Sequence, residues 1–266
     1  MIEWIAYFLA LIIGITLGMI GAGGSILTIP VLVYVLGIAP TEATGYSLFI
    51  VGITAAVGVI PFYKNKLIDF KTAIMFGAPS IVAVFSTRAF ILPAIPEILI
   101  KTESFSLNKD TFLLLLFALV MIAASFSMIR NKKSPTEDLL NAKPKNYLFI
   151  LLEGAVVGVL TGLVGAGGGF LIIPALVLLS GMPFKKAIGT SLIIIAAKSL
   201  IGFLGEANLA AANWSLLSLF SAFSIMGIFI GFRLSKIIQS NILKPAFGYF
   251  TLLMGIYILI KEGFLK

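Results

Sequence analysis

The sequence predicts an all-α integral membrane protein: two inverted repeats of about five hydrophobic segments each, with Gly-motif broken or re-entrant helices at the midplane. Three observations lead there. The chain is 60% hydrophobic and 11% charged over 266 residues, with mean hydropathy +1.13, whereas soluble domains run near about 45–50% apolar and about 25% charged. Its apolar runs number ten, five on each side of one polar stretch. A Gly-rich motif inside apolar sequence is written twice, 144 residues apart.

The runs fall at 2–18, 24–37, 43–62, 70–92, 111–129, 147–164, 168–181, 186–205, 213–233 and 245–261. A helix needs about 20 residues to cross a hydrocarbon layer of ~30 Å. The runs 24–37 and 168–181 have only 14 residues each, and both follow a Gly motif. Two partial helices that dip in and return, or one broken helix, account for that. Irregular backbone at such depth is tolerated only where protein or a water-filled cavity surrounds it. Residues 93–110, with Pro93, Pro96, Glu97, Glu103 and Asp110, form the longest outer loop, either an embellishment of that face or a homodimer contact.

The polar stretch Arg130 to Lys145 carries five basic residues. Placing it in the cytoplasm and alternating sides puts thirteen basic residues inside and four outside, with Arg88 and Lys198 lying within segments. This bias predicts a multi-pass protein of the cell (inner) membrane with both termini outside. The N-terminus lacks a basic n-region and is read as the start of the first segment. The organisation is repeat one over 1–129, a cytoplasmic linker over 130–146 and repeat two over 147–266, together one transmembrane domain. Five segments per half is an odd number, so the second repeat enters from the opposite side.

The register extends beyond the motif. Positions 18–48 align with 162–192 at 15 identities in 31, among them Pro30 with Pro174, Gly45 with Gly189 and Ser47 with Ser191. Asp69-Phe70 aligns with Asn213-Trp214, an N-cap residue followed by an interfacial aromatic. Trp4, Tyr7, Tyr63 and Tyr147 also fit interfacial belts. Gly14-xxx-Gly18 and Gly158-xxx-Gly162 are read as close helix packing.

Composition removes several functions. Cys and His are absent, which excludes thiolate and imidazole metal sites, disulfides and Cys nucleophiles. No metal site, catalytic residue or cofactor is expected, and an enzyme is not. The net charge of +8 reflects loop residues that set topology, so no nucleic-acid partner is expected.

The chemistry concentrates in the two motifs. A helix N-terminus presents unpaired N–H groups and about half a positive charge, and glycines ahead of it let several N–H groups converge. Gly21, Ala22, Gly23, Gly24 and Ser25 precede one short helix, and Gly165, Ala166, Gly167, Gly168 and Gly169 precede the other. Two such ends meeting from opposite sides form a receptor for a small anion. Lys198 lies well inside its segment, where a lysine costs at least ~2.5 kcal/mol on insertion scales and should face the interior. It is read as a cation attracting the substrate, against a snorkelling lysine or a pair with Glu206, eight residues on. Ser47, Thr190 and Ser191 offer hydroxyls to anion oxygens or to the helix backbone. Arg88 is read as an interfacial anchor, and Glu153 as a half-buried interface residue or a proton-coupling carboxylate.

Gly18-Met-Ile-Gly-Ala-Gly-Gly-Ser-Ile-Leu-Thr-Ile-Pro30 followed by Ala43-Thr-Gly-Tyr-Ser-Leu48 resembles the repeat of the TauE/SafE sulfite-exporter family. The second copy, ending Ala187-Ile-Gly-Thr-Ser-Leu192, resembles it more closely, and the likeness covers essentially the whole chain. It implies a membrane permease for sulfite, sulfonates such as sulfoacetate, or related sulfur anions. The expected function is secondary transport of such an anion by alternating access at the repeat interface, with H⁺ or Na⁺ as coupling ion. The alternative is a passive anion channel on the same fold. The expected partners are the small anionic substrate and the lipid bilayer.

Overall fold

The computed structural model describes residues 2–21, 23–102, 105–130, 147–165, 167–178, 182–206, 212–238 and 240–263. Of the sequence-derived linker, 130–146, all but Arg130 lies outside the described residues, as do Ala22 and Ala166.

Among the described residues the chain is all-α apart from one hairpin. The helices before the linker are α1 (Ile2–Ile20), α2 (Gly23–Pro30), α3 (Pro40–Lys64), α4 (Phe70–Ser86) and α5 (Lys109–Arg130). Those after it are α6 (Tyr147–Val164), α7 (Gly169–Leu178), α8 (Phe184–Leu204), α9 (Trp214–Ile237) and α10 (Ser240–Gly263). Two helices change pitch. α2 continues as a π-helical turn at Val31–Val35, and α4 continues through one at Thr87–Ile91 to Ala94. The 93–110 loop contains a short antiparallel ribbon, β1 (Ile98–Thr102) paired with β2 (Phe105–Asn108).

Among the described residues five helices are long and apolar enough to cross a membrane, over Pro40–Lys64, Phe70–Ala94, Lys109–Phe126, Phe184–Leu204 and Trp214–Ile237. The two helices behind the Gly motifs are not. α7 has ten residues, a rise of about 15 Å, half of the ~30 Å layer. The start of α4 is fixed by Asp69, whose Oδ1 accepts from Thr72 N at 3.1 Å. Asn213 does the same for α9, accepting from Leu216 N at 3.1 Å. Caps of this kind contribute about 1 kcal/mol each.

The packing comes in pairs that repeat at the 144-residue offset. α1 lies against α9 and α6 against α4, while α5 lies against α10, α3 against α8 and α2 against α7. Glycines set the first two. A Cβ on Gly14 or Gly18 would strike the Ser224 or Ile228 carbonyl of α9, and Gly227 and Gly231 of α9 meet the Leu11 and Ile15 carbonyls in return. In the other pair a Cβ on Gly158 would lie 2.6 Å from Ser80 O, and one on Gly162 2.7 Å from Thr87 Cβ. Backbone thus touches backbone, as small residues allow where lipid supplies no hydrophobic drive between helices.

α3 and α8 form the central pair and run antiparallel. Gly45 faces Glu206, Gly52 faces Leu200, and Gly189 faces Phe62 and Leu67. Each end is tied by one side chain to the cap of a neighbouring helix. Thr190 Oγ1 accepts from Asp69 N at 2.9 Å, and Tyr46 Oη accepts from Asn213 N at 2.8 Å.

Gly14→Ala and Gly158→Ala are each expected to destabilise the protein by about 1–3 kcal/mol through overpacking. Gly77→Ala on α4, whose Cβ would meet Ile194 at an ordinary 3.7 Å, should leave stability unchanged or raised. Thermal unfolding of the detergent-solubilised variants measures the contrast.

Candidate functional site

Each motif begins by ending a helix. Gly21 donates its N–H to Leu17 O at 2.7 Å and turns left-handed at φ 74. Gly165 donates to Thr161 O at 2.8 Å and turns at φ 72. Glycine takes this conformation without the Cβ penalty that other residues incur. In the second copy Gly167 (φ 61) and Gly168 (φ 68) are also left-handed, just before α7 starts. The Gly168 carbonyl then accepts from Leu171 N and Ile172 N, both at 3.0 Å. The N–H groups of Gly169 and Phe170 have no acceptor within the helix, because they open it.

Lys198 stands at this turn. Its side chain is fully buried on α8, and Nζ donates to Thr161 Oγ1 at 3.2 Å. A Cβ on Gly168 would lie 2.5 Å from that Nζ and would strike the Thr161 methyl. Gly168 therefore has to be glycine for space as well as for φ. Thr161 Oγ1 gives its own proton to Val157 O at 2.8 Å, which leaves its lone pairs to Lys198. An ammonium has three donors, and one is used here among the described residues. Among the described residues no carboxylate lies within ion-pair distance of Nζ. Glu206, the partner weighed from the sequence, is bound elsewhere.

The first copy is neutral at the matching positions. Leu17 stands where Thr161 does and Thr54 where Lys198 does. Thr54 Oγ1 donates back to Ile50 O at 2.6 Å. A Cβ on Gly24, the counterpart of Gly168, would sit 2.8 Å from Leu17 Cβ. The two turns thus differ by one buried cation, by the hydroxyl that holds it, and by the backbone at Gly167 and Gly168, left-handed where Gly23 and Gly24 are already helical.

The turns also approach each other's third helix. A Cβ on Gly21 would lie 3.1 Å from Ser191 Oγ on α8 and 3.1 Å from Ile173 Cδ1 on α7. Gly165 abuts Thr44 on α3. Ser191 Oγ donates to Ile188 O at 2.8 Å, and its counterpart Ser47 is buried with no partner for Oγ among the described residues. Thr190 is drawn to the α3–α4 connection by its bond from Asp69 N. Gly23 and Ser25 lie at the start of α2, and Gly169 is buried at the start of α7.

Arg88 corrects its sequence reading. It is not an interfacial anchor: it is 1% exposed, and Nη1 donates to Glu206 Oε2 at 2.8 Å. The π-helical turn at Thr87–Ile91 carries it, and such turns re-aim side chains. Glu153 is half-buried on α6. Thr161 was missed, although a signal existed: at the 144-residue offset it replaces the apolar Leu17 one position before a motif glycine.

The comparisons agree with this architecture. The family model described as sulfite exporter TauE/SafE matches residues 6–258. A "Probable membrane transporter protein" of Xylella fastidiosa is 30% identical over 256 residues, covering 93% of this chain and 91% of that protein. Two "Probable membrane transporter" proteins of Bacillus subtilis, YunE and YjnA, are 27% and 31% identical. YunE covers 87% of this chain and 86% of its own length, and YjnA covers 85% and 88%. No solved structure matches the chain. A match over nearly the whole length, on a bundle of apolar helices, means that the chain belongs to the TauE/SafE sulfite exporter family and is a membrane transporter, not an enzyme.

Proposed function

We propose that this protein is a secondary transporter of a small sulfur oxyanion, sulfite or an organosulfonate such as sulfoacetate, across the cell membrane. The observation that carries this reading is the Lys198 ammonium: fully buried, beside the Gly168 turn, held by a neutral hydroxyl and facing no carboxylate among the described residues. A buried charge needs a counter-charge. An anion bound between Nζ and the opening N–H groups of α7 supplies it, with the helix dipole in the same sense.

Two inverted repeats and alternating access are part of the proposal. They are supported by the antiparallel pairing of the equivalent helices α3 and α8 and by the recurrence of each interface at the 144-residue offset. In such architectures the site lies near the midplane where broken helices meet, and the two halves rock about it. The short α2 and α7 fit that role. The positive-inside bias adds an inner-membrane location with both termini outside. H⁺ or Na⁺ as coupling ion completes the scheme.

Lys198→Met is expected to weaken sulfite or sulfonate binding by about tenfold or more, since a hydrogen bond from a charged group contributes about 1.5–3 kcal/mol. Titration calorimetry on purified protein measures it, and unchanged affinity would remove Lys198 from the site. Gly168→Ala should lower affinity and also destabilise by about 1–2 kcal/mol, because its φ of 68 costs an L-residue that much. In proteoliposomes, flux should saturate and accumulate substrate against its gradient. Non-saturating, purely downhill flux would instead identify a passive channel.

A further inference from the structure

The Arg88–Glu206 pair joins α4 of the first half to the end of α8 in the second. Arg88 has no side-chain exposure, and Glu206 has 20%. Among the described residues only one nitrogen of the guanidinium is used: Nε and Nη2 are both buried and meet no acceptor there. These two atoms form one edge of a rigid fork whose geometry matches the two oxygens of a carboxylate, sulfonate or phosphate group.

The fold does not need a charge here. The position 144 residues after Arg88 is Phe232, and the position 144 before Glu206 is Phe62. Those two rings pack edge-on at 4.9 Å. Each pair rests on an equivalent glycine: Glu206 on Gly45, and Phe62 on Gly189. One end of the α3–α8 pair is therefore closed by two aromatic rings and the other, through the same positions, by an ion pair. Buried ion pairs are commonly replaced by apolar residues at no loss of stability, and this chain carries both versions. The charge at residue 88 thus calls for a reason other than packing.

Two buried serines lie along the two helices between this pair and the level of Lys198. Contacts of Gly77 with Ile194 and Gly202 with Val84 fasten α4 to α8. Ser80 and Ser199 fall between those contacts, and both hydroxyls are buried with no partner among the described residues. From Lys198 to Glu206 is eight residues, about 12 Å along a helix.

We propose that the Nε–Nη2 edge of Arg88 is a second oxyanion site, separate from that at Lys198, which the transported anion occupies on its way along the α4–α8 face, with Glu206 as the resident competitor for the guanidinium. The burial of Arg88 favours a small free anion over a lipid headgroup. The inference rests on the anion-transport reading above.

The experiment is titration calorimetry of the purified full chain with sulfite and with methanesulfonate. It compares the natural protein with Lys198→Met, Glu206→Gln and the double variant Arg88→Phe/Glu206→Phe. The double variant copies the aromatic pair of the other half and should fold. The natural protein should bind two anions per chain, and Lys198→Met and the double variant one each. Glu206→Gln should tighten the Arg88 site roughly tenfold, because a competing carboxylate is gone. Binding in the double variant that equals the natural protein overturns the second site, as does a single natural site abolished by Lys198→Met, which leaves the transport reading standing. No binding of either anion by the natural protein removes that reading and this one together. Should the double variant fail to fold, Glu206→Gln decides: tighter binding supports the site and unchanged binding overturns it.

Discussion

Backbone contact at glycine is the constraint on which this bundle depends. In lipid, apolar side chains gain nothing by hiding from one another, so helices associate where their backbones can approach. α1 and α9 meet through Gly14, Gly18, Gly227 and Gly231, and α6 meets α4 through Gly154, Gly158 and Gly162. These contacts run along α1 and α6 to within a few residues of the left-handed turns at Gly21 and Gly165 that end the two helices. Thr161 lies on the same helix as Gly158 and Gly162, one position from the latter. The contact that docks α6 on α4 therefore also places the hydroxyl that receives Lys198. Packing and site are two uses of one helix.

The two halves share packing and differ in charge. Positions 17, 54, 62 and 232 hold Leu, Thr, Phe and Phe. Their counterparts 161, 198, 206 and 88 hold Thr, Lys, Glu and Arg. Both sets fill the same places, so shape is preserved while electrostatics is not. A protein with charge in both copies would place two ammonium groups in one buried region, where like charges repel strongly at low dielectric. One cation beside two similar Gly turns avoids this and still leaves a positive site.

Much of the fold could be read from the chain because membrane helices announce themselves locally. Segment limits follow from apolar runs, and the caps at Asp69 and Asn213 from residue type. The close contacts of Gly14, Gly18, Gly158 and Gly162 follow from spacing. Lys198 was legible as a cation inside a segment because insertion cost does not depend on the partner. What stands opposite it was not legible. The bond to Thr161 spans 37 residues and that of Arg88 to Glu206 spans 118, and no local pattern encodes either. Arg88 misled because an arginine near a segment end looks like an interfacial anchor unless a change of helical pitch turns it inward. The π-helical turn that does so has no strong sequence mark. The ribbon at 98–108 was hidden by the prolines and acids around it, which signal a loop.

An ammonium buried with no carboxylate beside it among the described residues is a standing cost, and a carboxylate at that place would remove it. Such a pair would neutralise the site and compete with any incoming anion. A neutral hydroxyl orients Nζ without cancelling its charge, and the adjacent helix start adds positive potential. The cost of burying the lysine is thereby retained until a ligand arrives, when charge neutralisation offsets it. In the proposed mechanism this couples occupancy to stability: the closed form is favoured when an anion is present and disfavoured when it is absent. A transporter needs that difference, because a ligand shifts a conformational equilibrium only as far as its affinity differs between the two states.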